Sequence, residues 1–433
     1  MRALRAAWLA ATLGAGGAAG CVERVSAPGQ CPEFCPSGSI QIVDTVLATN
    51  IERDSAFRGY AFAHRAAAMY LADVPGAVDS RGILATAALT DPVTLPGDTN
   101  PDPILGSDSL KLAFTITRRD TAAHNLLLTF YRLPFGLDST TTFADLAGPF
   151  GGAPLRTVNL DSLLAKVARD TSGNLIGVDS ATGDAVTVDT TNRRLRVTVK
   201  FDSAQAPYVA ADSGRLGFGI RVGADVPTSL GIATRASGIL SAGVTWYVRV
   251  DSTTAADTTL VHEVFPGGIT LDSYVFDPPP APLDSTLAVG GVPSARSLLR
   301  VTLPRAIRDS AQIVRATLVV IPAVAWQGAP TDSFVVEAHT VLADFGAKSP
   351  IAVDVTRTDT ALIRMGAKDT VRIEVTNLVQ FWVSDTLAPT ALMLRPRNEA
   401  GSPAEVRFYP SAAAASRPSL RLTYARRFPF GRP

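Results

Sequence analysis

From residue 41 onward the apolar positions of this chain recur at every second residue, in runs that stop at Gly, Pro or an Asp-Ser/Thr pair. Such alternation turns one side of each run toward a core and the other toward water, so it predicts many short, half-buried strands. The clearest are "LKLAFTIT" (110–117), "LLLTFYRL" (126–133), "RLRVTVKF" (194–201), "RLGFGIRV" (215–222), "VTWYVRV" (244–250), "ATLVVIP" (316–322), "SFVVEAH" (333–339) and "TVRIEVT" (370–376). Helical periodicity is scarce. "NLDSLLAKVARD" (159–170) offers a short helix capped by Asn159 or Asp161, and "TNLVQFWVSD" (376–385) has room for a turn or more. The predicted class is all-β, built as jelly-roll-like sandwiches.

The closing stretch "AEVRFYPSAAAASRPSLRLTYA" (404–425) shows the pattern at close range. In its first run Val406 and Phe408 point inward and Arg407 and Tyr409 outward. In its second, Leu420, Leu422 and Tyr424 are buried while Arg421 and Thr423 are exposed. Pro418 blocks pairing just before the last strand, and Ala412–Ala415 are expected to form a compact loop.

At about 150 residues per domain, 433 residues predict two or three domains. "VFDPPPAPLDS" (275–285) is the best linker, because consecutive prolines favour an extended, stiff spacer. The chain restarts after it with Asp284-Ser285-Thr286-Leu287, which echoes Asp44-Thr45-Val46-Leu47. Weak internal matches continue the echo, among them "TTFADLAGPF" (141–150) with "TVLADFGAKSP" (340–350). The expected organisation is a signal peptide (1–20), a tether (21–40), an enlarged sandwich (41–274), a Pro-rich linker (275–283), a second sandwich (284–425) and a tail (426–433).

The amino terminus predicts export. Arg2 and Arg5 precede a short apolar core, Ala6 to Leu13, and then small residues up to Cys21. The apolar run is too short to span a bilayer. Small residues directly before a cysteine resemble a bacterial lipobox, which implies lipidation of Cys21 and, in a Gram-negative cell, an outer-membrane or cell-surface location, with the lipid as the only membrane attachment. The alternative is ordinary cleavage near Ala19, with Cys21 left as a plain thiol. Cys31 and Cys35 in "CPEFCPSG" are expected to pair as a disulfide in an oxidising compartment.

Lys+Arg number 40 and Asp+Glu 39, so no nucleic-acid partner is implied: that would need a basic stripe. The Asp-Ser/Thr habit, at Asp108, Asp138, Asp284, Asp332 and Asp385 among others, is first a turn device, since short polar side chains bond to their own backbone. The reading is no cofactor and no metal site, with a structural calcium ion as the alternative, which would need about six to eight converging oxygens.

Residues 284–425 resemble the DNRLRE-type module, a bacterial extracellular β-sandwich related to carbohydrate-binding modules that include alginate binders. The likeness rests on Asp284, Leu287, Val289 and Gly290; on Arg296 to Arg300; on Ile373, Val375, Thr376, Leu378 to Gln380 and Trp382; and on Arg407 to Tyr424. Val301 stands where the family has an aromatic. The likeness reaches the first half only through the internal echo. It implies a non-catalytic envelope lipoprotein binding polysaccharide or a surface polymer. The alternative is a structural or adhesive protein whose sandwiches dock proteins or act as spacers.

No reactive constellation is legible. The four histidines, His64, His124, His262 and His339, are spread singly, and no nucleophile elbow or phosphate loop occurs. Glu337 and His339 share a strand face and are expected to be an exposed polar pair. Sugar binding uses flat aromatic faces with Arg, Asn or Asp beside them. The candidates are Trp246, Tyr247, Trp326, Trp382, Arg407 and Tyr409. Of these Trp382 is expected in the core, and Trp326, Arg407 and Tyr409 are the expected ligand-binding residues.

Overall fold

The computed structural model describes residues 42–94, 100–239, 241–251, 261–264, 268–329, 332–344 and 352–426. They form an all-β protein, as the alternation predicts, with two large apolar cores. The expected signal and tether, and all three cysteines, lie outside the described residues, as do residues 427–433.

The first core is enclosed by a sheet of fourteen strands that turns back on itself. Its longest member, Ile104–Arg119, pairs with Arg194–Asp202 and Gly243–Val250, and near its end with Thr228–Ala233. From there the ladder continues through Ala68–Val74 and Val78–Thr86 to Gly217–Gly223 and Leu127–Leu133. This brings Phe114 and Phe201 against Phe130 and Phe218. Ring centroids lie 6.2 Å apart for Phe114–Phe130, 5.5 Å for Phe130–Phe201 and 5.2 Å for Phe201–Phe218. All four rings are fully buried.

The second core lies between two sheets. The four-stranded sheet runs Ile42–Leu47, Ser419–Arg426, Ala311–Val320, Val371–Glu374. The facing sheet of seven includes Ala352–Arg364, Ser333–Ala343, Ala391–Pro396, Ala295–Val301 and Ile51–Arg58. Leu299, Leu318, Val336, Leu394 and Leu420 meet between them. Burying each such side chain contributes about 1.5–3 kcal/mol.

The boundary expected at residue 41 is corrected. Ile42–Leu47 pairs antiparallel with the last strand, from Ile42 opposite Ala425 to Leu47 opposite Leu420, and Ile51–Arg58 pairs with Ala295–Val301. Leu47 and Ile51 are buried in the second core. From residue 42 the described chain therefore starts in the second body, leaves it to build the first, and returns near residue 284. The last strand is consequently internal to its sheet. Two smaller corrections follow: the strand Ile269–Asp277 runs into the expected linker, and the last strand reaches Arg426.

The stretch after this strand is bolted down. The carbonyl of Ala281 accepts from the guanidinium groups of Arg58 (3.3 Å) and Arg407 (2.9 Å), and that of Pro282 from Arg407 (2.9 Å). The restart motif also has a physical reading. Asp284 accepts from the Thr286 amide at 2.7 Å, Leu287 and Val289 are buried, and Gly290 has φ +100°. A Cβ at Gly290 would lie 2.6 Å from the Ala404 carbonyl oxygen, so only glycine fits there.

Both expected helices form, the first only over Leu160–Leu164, while short helices at Ala147–Gly151 and Arg305–Arg308 were not foreseen. Leu160–Leu164 is capped by the Asn159 side chain, which accepts from the Ser162 amide, and Thr376–Ser384 packs Leu378, Val379, Trp382 and Val383 inward. The matched segments at 141–150 and 340–350 differ in structure: Ala144–Leu146 is a 3-10 turn, whereas Thr340 and Ala343 belong to a strand.

Candidate functional site

The outer face of the four-stranded sheet carries a groove of about 830 Å³. Its floor follows from register. Asp44 lies opposite Thr423, which lies opposite Arg315; one rung on, Val46, Arg421, Thr317 and Glu374 stand in a row; Arg372 stands opposite Val319 on the next. These are the outward positions of strands whose inward residues, Leu318, Ile373, Leu420 and Leu422, fill the second core. Burial of one face thus fixes which side chains face the groove.

The two carboxylates of the groove are engaged. Asp44 accepts from the Thr423 hydroxyl at 2.6 Å. Glu374 accepts from Arg315 at 3.1 Å, from Thr317 at 3.4 Å and from the Thr376 hydroxyl. Burial acts to raise the Glu374 carboxyl, but the Thr376 and Arg315 contacts outweigh it and hold the group below its ordinary value. Arg372 and Arg421, both exposed, make no ion pair or side-chain hydrogen bond among the described residues. The groove therefore presents two uncommitted guanidinium groups beside threonine hydroxyls, an arrangement suited to carboxylate or sulfate groups on an extended ligand.

The expected binding residues lie elsewhere. Trp326 is a correction: it is 2% exposed, packs on Phe334 with centroids 5.9 Å apart, and belongs to the second core. Buried in this way, it offers no surface platform. Arg407 is a second correction. Although it points away from Phe408 as expected, it bonds Glu405 at 2.7 Å, Asp284 at 2.9 Å and the two linker carbonyls, which leaves it structural. Tyr409 is half-buried, with its amide bonded to the Ile321 carbonyl at 3.0 Å, and it does not line the groove. Trp246 is fully buried, and the half-buried Tyr247 accepts from Lys111 Nζ at 2.9 Å. Trp382 is in the core, as expected, with Nε1 donating to Thr340 at 2.8 Å.

Glu337 and His339 are in contact but buried, not exposed. His339 Nε2 lies 3.2 Å from Glu337 Oε2, and its Nδ1 lies 3.1 Å from the Asp354 carbonyl oxygen. Arg395 and Arg397 bond the same carboxylate at 3.2 Å and 3.1 Å. Arg395, Arg397 and Asp354, on or next to neighbouring strands, engage the pair's polar atoms and bury them, which the sequence of this strand alone does not show. The Asp-Ser/Thr pairs do act as turns: Asp138 accepts from the Thr140 amide at 2.8 Å and Asp385 from that of Leu387 at 3.0 Å. Among the described residues no three His, Cys, Asp or Glu side chains gather as metal ligands.

Sequence reasoning missed Arg315, Arg372, Thr317 and Glu374. Their signal was present, as "RAT" and "VRIE" place Arg, Thr and Glu on outward positions. Nothing in the sequence said that these strands are neighbours. No protein-family model matches the chain, and no curated protein matches it.

Proposed function

We propose that this is an exported, non-catalytic envelope lipoprotein, attached through Cys21, whose second sandwich binds an acidic polysaccharide along the arginine groove. The observation that carries the reading is the pair Arg372 and Arg421, exposed and without partners among the described residues in a concave sheet face. Two guanidinium groups that line one groove from strands on either side of Ala311–Val320, with no ion pair among the described residues, are suited to an external anion. The resemblance of residues 284–425 to DNRLRE-type modules supports the same reading. Affinity electrophoresis of the full chain in acidic and neutral polysaccharides tests it. Retardation by the acidic polymer alone, lost in Arg372→Ala/Arg421→Ala, is expected; equal mobility in all gels would overturn it.

One observation favours the spacer or docking reading instead. Among the described residues no aromatic ring lines the groove, so the stacking that commonly holds sugars has no counterpart there. Capture of an envelope protein by the full chain, with no retardation in any polysaccharide, would decide for it.

A further inference from the structure

A second concavity of about 400 Å³ lies on the same body, lined by Thr356, Arg357, Thr358, Asn377, Phe381 and Ser384, with Gln380 at its base. This is within the range of about 300–1,000 Å³ typical of small-molecule sites. Its chemistry differs from that of the groove. Arg357, its one cation, is neutralised by an ion pair with Asp354, and its guanidinium carbon lies over the Phe381 ring, 4.5 Å from the centroid. The remaining polar lining is amide and hydroxyl. Gln380 is spent within the fold, accepting from the Ile313 amide at 3.1 Å and donating to Ser384 at 3.2 Å. Asn377 has no partner among the described residues, so its two donors and one acceptor face solvent.

The pocket adjoins the groove. Glu374 lines the groove, the Thr376 hydroxyl bonds the Glu374 carboxylate and accepts from the Ala316 amide at 2.8 Å, and Asn377 is the next residue along. On the pocket's other wall Thr358 precedes Asp359, whose carboxyl is pushed up by burial and by the neighbouring Glu374. One path therefore runs from unpaired arginines, past Glu374, to an uncharged hydrogen-bonding recess.

We infer that the pocket is a subsite for an uncharged sugar ring, so that groove and pocket together select an acidic heteropolysaccharide, in which charged and neutral residues alternate, over a polymer of uronate alone. This rests on the groove reading given above. The neutral ring meets the Asn377 amide and the Thr358 hydroxyl, while the charged units that follow it into the groove meet Arg372 and Arg421.

The test compares hyaluronan, which alternates uronate with an N-acetylated neutral sugar, with alginate, which is uronate throughout, using the full chain and isothermal titration. Asn377→Ala is expected to weaken hyaluronan binding about fivefold, the worth of one hydrogen bond, and to leave alginate binding unchanged. Thr358→Val, also at an exposed position, is a second probe of the pocket. Arg372→Ala/Arg421→Ala is expected to remove binding of both polymers. If both pocket variants bind hyaluronan like the unaltered chain, or lose both polymers equally, the subsite is overturned while the groove stands. If the unaltered chain binds neither polymer, both readings fall.

Discussion

Tyr70, on the first body, donates its hydroxyl to Oδ2 of Asp332, on the second, across 2.5 Å. The other carboxylate oxygen accepts from Ser229 at 2.8 Å and pairs with Arg118 at 3.0 Å, and the Ala329 amide completes the set at 3.1 Å. The Asp332 side chain is 6% exposed. Burial first, and the Asp332 charge second, push the Tyr70 hydroxyl well above its ordinary value, so it stays a donor at every physiological pH. Nearby, Tyr274 donates to the Ala400 carbonyl at 2.6 Å, and Val292, Ala329 and Ala400 of the second body pack into the first core. The bodies are joined by packed, polar-satisfied contact as well as by the chain.

Removing that carboxylate should loosen the joint. Asp332→Ala leaves the buried Tyr70 and Ser229 hydroxyls without an acceptor, and a loss of about 2–4 kcal/mol is expected. Denaturant unfolding followed by tryptophan emission measures it. A variant within about 0.5 kcal/mol of the parent would show that the contact contributes nothing to stability.

Arg407→Ala is expected to reduce stability, not ligand binding. It releases Glu405, Asp284 and two linker carbonyls from one largely buried guanidinium, a loss of about 2–3 kcal/mol. Thermal unfolding and polysaccharide retardation measured on the same sample separate the two effects. Unchanged melting with lost retardation would restore Arg407 as a ligand contact.

The two buried tryptophans of the second core should respond differently to phenylalanine. Trp382 Nε1 donates to Thr340, whereas Trp326 Nε1 meets no acceptor among the described residues. Both replacements leave a similar void, but only Trp382→Phe also orphans a buried hydroxyl. It is expected to cost about 1 kcal/mol more than Trp326→Phe by chemical denaturation. The reverse order would mean that the Trp326 indole has a partner in solution.

Acid should weaken the second body through Glu337. Its burial acts to raise the carboxyl, but Arg397, His339 and Arg395 together hold it below its ordinary value of 4.5. A depressed carboxylate stabilises the fold fully above its unfolded value, and that share is lost as the pH falls through the lower folded value. The advantage of the parent over Glu337→Gln should therefore be full at pH 7 and shrink below about pH 4.5. Asp354, held down to about 2 by the Thr356 hydroxyl and amide and by Arg357, stays ionised through most of that window. Urea midpoints of both proteins between pH 7 and 3 provide the check, and a constant gap would contradict the assignment.

Much of the fold was legible locally. Each of the eight quoted runs overlaps a strand, and Val406, Phe408, Leu420, Leu422 and Tyr424 are buried as their alternation requires. The binding residues were not. Trp326 and Arg407 were read as exposed because sequence reports which face a residue is on, while exposure depends on what else packs there. Phe334 covers one, and a linker drawn back across the sheet engages the other.

Period-two alternation and turn residues by themselves determined that the chain forms strands, where they stop and which side chains face inward, because these follow from backbone geometry within a few residues. Only the tertiary structure decided that residues 42–58 complete the far sandwich, that Asp332 joins the two bodies, and that Arg315, Arg372 and Arg421 share one groove. Such pairings link positions up to hundreds of residues apart. They are selected by the shape and burial of whole sheets, which no local pattern encodes.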